Sequence, residues 1–156
     1  MTIATDNISL DLIYLGMVDS MASQSKDRST GIGAVLKPLG MAKQPILACN
    51  ALPFGLRDSD ARRERPAKYL YWEHAERNVL YCAARAGIST SGATLYTTGV
   101  PCDDCARAVI QAGVRTVVVW QRGSGLEATD RWFESINAGR EMLKEAGVLV
   151  REVARP

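Results

Sequence analysis

Residues 93–120 constrain the fold more than any other stretch of the chain. Residues 93–98 are strand-like, Pro101 is placed to open a helix that Gly113 ends, and residues 114–120 form an apolar run rich in valine. Proline suits the first turn of a helix and glycine the position past its end, so this punctuation predicts strand, helix, strand. Strands joined through a helix run parallel, because only a crossover of that length returns the chain in the same direction. The alternation extends on both sides. Residues 73–86 read as a helix closed by Gly87, residues 129–146 as a helix stopped by Gly147, and residues 148–153 as a final strand.

Upstream, Ile8, Leu12, Leu15, Met17 and Val18 recur at helical spacing and predict an opening helix over 7–23. Residues 31–37 and 45–50 read as strands, with Pro38 and Gly40 in a hairpin-like connection between them. These elements predict an α/β fold, a three-layer α/β/α sandwich around a mixed sheet that is antiparallel at one edge. A chain of 156 residues fits one domain, 1–156. The polar stretch 51–71 exceeds the ~12–15 residues usual for a structureless loop, so it reads as a lid, a binding loop or partly helical.

Two short runs carry chemistry. His74, the single histidine, stands in Glu73-His74-Ala75-Glu76, and Pro101-Cys102-Asp103-Asp104-Cys105 follows a strand. One imidazole and two thiolates are zinc ligands, and three of them leave a tetrahedral ion a fourth position for water. Both runs lie at predicted helix starts, where free N–H groups and the helix dipole favour thiolate. Glu76 is then placed to take a proton from that water and return it to a ring nitrogen and a leaving amine. Two other readings stand beside this one. Cys-x-x-Cys also serves as a redox pair, and the cysteines could belong to a closed structural site completed by Cys49 or Cys82. Cys82 itself reads as a core thiol, and Asp103 and Asp104 as first-turn carboxylates suited to the dipole.

His-x-Glu followed by Pro-Cys-x-x-Cys, here 28 residues apart, is the signature of zinc nucleobase deaminases. With both halves present, the chain resembles the cytidine/deoxycytidylate deaminase superfamily and is most similar to its deoxycytidylate (dCMP) deaminase-like branch. Further markers are Ser25-Lys26-Asp27-Arg28-Ser29-Thr30 leading into Gly33-Ala34-Val35, Asn50 with Pro53-Phe54-Gly55, His74 to Asn78, and Pro101 to Ala106. The likeness runs from Ser25 to about Val153. It implies a five-stranded cytidine deaminase-like sheet and one catalytic Zn2+ per subunit on His74, Cys102 and Cys105, with Glu76 catalytic. It also implies hydrolytic deamination of a pyrimidine nucleotide such as dCMP, release of ammonia, and a homo-oligomer. By the same resemblance Asn50 contacts the sugar and the Ala75 backbone amide meets the base. The chain departs from the family pattern at Cys49 and Ala51 around that asparagine, at Trp72 and Glu73 before the histidine, and at Val100.

A substrate phosphate needs charge-assisted donors. Lys26 and Arg28 are the first candidates, with Arg57, Arg62, Arg63, Arg65 and Lys68 behind them among interleaved acids. Trp120 and Gln121 end a buried strand, where they read as a pocket wall or, for Trp120, as core. A net charge of +2 and 6% aromatic residues disfavour a nucleic-acid polymer as substrate. Asp6, Asp11 and Asp19 precede the first lysine, the reverse of a signal peptide, and no run reaches the ~18 apolar residues that span a bilayer. The expectation is a cytoplasmic enzyme with a small-molecule nucleotide substrate and no membrane partner. Competing readings are a deaminase of a free base, a nucleoside or a modified or purine nucleotide, and a non-catalytic zinc-binding module.

Overall fold

The computed structural model describes residues 4–40, 44–121 and 132–156. Helix α1 (Ala4–Ser23) leads into strands β1 (Gly33–Lys37) and β2 (Ile46–Cys49), which pair antiparallel with Gly33 opposite Cys49. Two single-turn helices follow, α2 (Asp60–Arg63) and α3 (Lys68–Tyr71), then α4 (Ala75–Arg85) and β3 (Thr94–Thr97). The remainder alternates as the sequence predicts: α5 (Asp103–Gln111), β4 (Thr116–Trp120), α6 (Phe133–Glu145) and β5 (Leu149–Val153).

The five strands lie in the order β2-β1-β3-β4-β5. β1 pairs antiparallel with β2 and β3, whereas β3–β4 and β4–β5 are parallel. Side chains alternate across each strand, which divides the core in two. Val35, Tyr96, Val118 and Trp120 face α1 and pack on Leu15 and Val18. Ala34, Leu36, Leu95, Val117 and Val119 face the opposite layer, meeting Val79 and Ala83 of α4, Val109 of α5 and Leu143 of α6. The result is the expected α/β/α sandwich with a five-stranded mixed sheet. Burying each large aliphatic side chain in these layers contributes about 1.5–3 kcal/mol.

Boundaries differ in instructive places. Pro101 stands two residues before α5 rather than inside its first turn, and Cys102 is the N-cap. The stretch 51–71 is partly helical, and tertiary contacts hold its single turns in place: the Trp72 indole N–H donates to the Arg62 carbonyl, and the Arg62 guanidinium lies over Tyr71. Helix α1 starts at Ala4, earlier than predicted, and α6 starts at Phe133. The predicted start of that last helix, 129–131, lies outside the described residues.

Two glycines permit approaches that any side chain would block. A Cβ on Gly33 would lie 2.0 Å from the Val18 carbonyl oxygen, where β1 packs on α1. A Cβ on Gly139 would lie 2.4 Å from the Pro101 carbonyl oxygen, so α6 presses against the segment that carries Cys102.

Candidate functional site

Strand direction explains why the two chemical runs meet. β2 and β3 both run antiparallel to β1, so their carboxyl ends lie at the same end of the sheet. α4 starts beyond one and α5 beyond the other, and both pack on the same face. Ligand sites in open α/β sheets favour this end of the strands. His74 is the N-cap of α4 and Cys102 the N-cap of α5, both with extended backbone (φ −70°, ψ 149° and φ −65°, ψ 173°).

The His74 Nδ1 atom lies 3.5 Å from Cys102 Sγ and 3.4 Å from Cys105 Sγ. All three ligand atoms fall within 4.8 Å of one another, and Cys102 and Cys105 are buried. Cys49 and Cys82 stay outside the group, so a closed four-ligand site has no fourth ligand among the described residues. The two sulfurs titrate as a pair. A hydrogen bond from Cys105, helped by His74, holds the Cys102 thiol down at about 4, while the same bond and burial push the Cys105 thiol up. A divalent metal supplies the positive charge that lets both sulfurs bind as thiolates. The donor set fits Zn2+.

Glu76 is buried beside this group on the second residue of α4, and burial pushes its carboxyl up against the lowering influence of His74. Its Oε2 has no hydrogen-bond partner. Buried carboxylate oxygens are almost always satisfied, so an orphan in a cleft marks a place for a ligand or water. Ala75, also buried, is the first residue of α4, where backbone N–H groups have no intrahelical acceptor.

A cleft of about 430 Å³ opens over these groups, with His74, Glu76 and Cys102 in its lining. Asn50 lines it too, but its amide is engaged: Oδ1 accepts from the Ile32 N–H at 2.9 Å, and Nδ2 donates to the Thr30 carbonyl at 3.0 Å and Asp27 at 3.3 Å. It ties the 27–32 loop to the end of β2. Lys26 and Arg28 do not line the cleft. Both are exposed, Lys26 pairing with Asp58 and Arg28 with Asp60 and Glu64. Their nearest carboxylates claim them. Of the other cations named from sequence, Arg65 and Lys68 reach the lining. Lys68 is buried against Asp27 at 2.6 Å and Ser29 Oγ at 2.6 Å. Trp120 belongs to the core on the α1 side, with its indole N–H on Asp19, and forms no part of the cleft.

Trp72 and Glu73, the departures from the family pattern beside the histidine, do line the cleft. Arg77, Trp132 and Ile136 line it without having been singled out as pocket residues, and the Trp132 ring stands edge-on to His74 with centroids 5.9 Å apart. Burial disfavours the Arg77 charge, but Cys105, Glu73 and Asp104 hold its guanidinium above the ordinary arginine range.

Comparisons with known proteins agree with the geometry. The profile of the cytidine and deoxycytidylate deaminase zinc-binding region matches residues 11–121. A deaminase from the luxG 3′ region of Aliivibrio fischeri is 33% identical over 137 residues, 88% of each chain. The deoxycytidylate deaminase of Mus musculus is 29% identical over 152 residues, spanning 89% of this chain and 76% of that one. Among solved structures, the dCMP deaminase of cyanophage S-TIM5 superposes with a TM-score of 0.70 at 23% identity, covering 93% of this chain and 98% of the phage chain. The same phage enzyme in complex with dCMP and dUMP gives 0.69. No described helix is long and apolar enough to cross a membrane. The chain belongs to the cytidine and deoxycytidylate deaminase family, a family of zinc-binding enzymes that hydrolyse a C–N bond.

Proposed function

We propose that this chain, acting as a single deaminase domain, hydrolytically deaminates a pyrimidine nucleotide, dCMP or a close analogue, and releases ammonia. The observation that carries this reading is the orphaned, buried carboxylate oxygen of Glu76 beside the His74–Cys102–Cys105 group. Zinc on those three residues supplies a Lewis acid that makes water nucleophilic near neutral pH. Glu76 takes one proton from the attacking water and delivers it to the ring nitrogen next to the reacting carbon. It then carries the water's second proton to the amino group, so that amine and water become carbonyl and ammonia and Glu76 ends as it began. The N–H groups at the start of α4 offer donors to the base, Ala75 among them.

Arg65 supports a phosphate on the substrate. It lines the cleft mouth and has no ion-pair partner among the described residues. The cyanophage enzyme's complex with dCMP and dUMP is consistent with the same substrate class. A second reading, deamination of the nucleoside, is favoured by Lys26 and Arg28 turning to carboxylates outside the cleft. Ammonia release from dCMP, CMP, dCTP, deoxycytidine, cytidine, guanine and adenine nucleotides separates the two. The proposal expects dCMP to lead. Equal kcat/KM for dCMP and deoxycytidine removes the phosphate from the reading, and preference for a purine removes the pyrimidine.

A further inference from the structure

The two zinc-bearing helix starts are joined by an ion-pair bridge that the deamination chemistry itself does not require. Arg77 Nε donates to Glu73 Oε1 at 2.5 Å, and its Nη2 reaches the same oxygen. Nη1 of the same guanidinium lies 3.5 Å from Asp104 Oδ2. Glu73 immediately precedes His74, and Asp104 lies between Cys102 and Cys105. One side chain thus spans the two ligand-bearing segments.

Glu73 is itself fixed. Its backbone pairs with Ala51 in both directions, N–H to carbonyl at 2.8 Å and carbonyl to N–H at 3.2 Å, which fastens it beyond the end of β2. The Glu73 carboxylate also accepts the His74 N–H at 3.2 Å, so the same oxygen that grips Arg77 holds the backbone of the metal ligand. At the other end Asp104 is also paired with Arg107, and its neighbour Asp103 is bonded to Ser135 of α6.

The placement of Arg77 is not explained by helix stability. A cation in the first turn of α4 opposes the helix dipole, and burying a guanidinium to 18% exposure carries a desolvation cost. Nor is this a helix-surface pair, because Glu73 precedes the N-cap and Asp104 belongs to another helix. The arrangement is explained if the bridge sets the separation of the ligands.

We propose that Arg77 is a positioning residue that fixes the spacing of the two zinc-bearing helix starts by spanning Glu73 and Asp104. The inference rests on the zinc reading above and adds to it a determinant of metal retention. Residues that orient metal ligands from behind typically change metal affinity or activity by about 10–100-fold when removed.

The test follows zinc leaving the full-length, zinc-loaded protein for a colorimetric chelator, with circular dichroism to check the fold of each variant. Arg77→Met is expected to release zinc about 10–100-fold faster than the parent, with Arg77→Lys between them. Asp104→Asn is expected to speed release as well, and Arg77→Met combined with Asp104→Asn to be no faster than Arg77→Met alone. Release from folded Arg77→Met within about twofold of the parent, or fully independent effects of the two substitutions, overturns the bridge. If Arg77→Met does not fold, the half-exposed Asp104→Asn carries the test, and parent-like release from it overturns the bridge. A parent that binds no zinc overturns the zinc reading and the bridge together, whereas a parent that binds zinc isolates the bridge.

Discussion

At the floor of the cleft, groups from two helix starts converge and one buried oxygen, Glu76 Oε2, is left without a protein partner. At the mouth, the buried charges saturate one another: Lys68 meets Asp27 and Ser29, and Asn50 spends its amide on the 27–32 loop. Both regions are polar and line the same cleft, yet the floor keeps a buried group with an unmet demand. The mouth's buried groups are satisfied, and among the described residues there only the exposed Arg65 is left for a ligand. Unsatisfied buried groups are costly, so their persistence marks chemistry, whereas satisfied networks mark architecture. Electrostatic richness alone therefore does not locate the working end.

Substitutions on the two sides should separate these roles. The largest effect is expected at the floor: Cys105→Ala removes one of three ligands, and both bound zinc, measured by metal analysis, and turnover should disappear. Lys68→Met comes next and should act on stability. It strands the buried Asp27 carboxylate, and breaking a buried pair costs about 3–5 kcal/mol, read as a fall in Tm with zinc content retained. A Lys68→Met protein of parental Tm would erase the distinction between floor and mouth.

The mouth also predicts a pH dependence. Burial raises the Asp27 carboxyl, but hydrogen bonds from Lys68, the Ser29 N–H and the Ser29 hydroxyl outweigh it and hold the carboxyl below its usual value. A depressed carboxyl adds stability that is complete above the unfolded value of about 3.9 and is lost as pH falls through the lower folded value. Denaturant titrations below pH ~4 should therefore show a flatter pH dependence for Asp27→Asn than for the parent. Smaller still is Arg65→Ala, expected to raise KM for dCMP about tenfold, as loss of a charged hydrogen bond does, while leaving deoxycytidine unchanged. Smallest is Arg28→Ala, whose exposed pairs contribute little, so KM and Tm should both stay near parental values.

The same contrast governs how much the sequence revealed. The convergence of His74, Cys102, Cys105 and Glu76 was legible because both runs stand at helix starts, and the strand-helix alternation placed both starts beyond strands. The α1 side of the sheet was legible as periodicity in Leu12, Leu15 and Val18. Lys26 and Arg28 misled because a cation in a polar loop is claimed by whichever carboxylate the fold brings near, here Asp58, Asp60 and Glu64. Helices α2 and α3 were legible only as a polar stretch with helical character. Each is four residues long and held by contacts such as Trp72 to Arg62, which no local pattern records. Trp132 was missed for a related reason, since its place beside His74 depends on how α6 docks through Gly139.

The most direct measurement of the central claim is ammonia release by zinc-loaded Glu76→Gln protein, normalised to its metal content. The account predicts zinc bound as in the parent and a rate at least ~100-fold lower, the scale of a lost general acid–base. Parental turnover with Glu76 gone would contradict it.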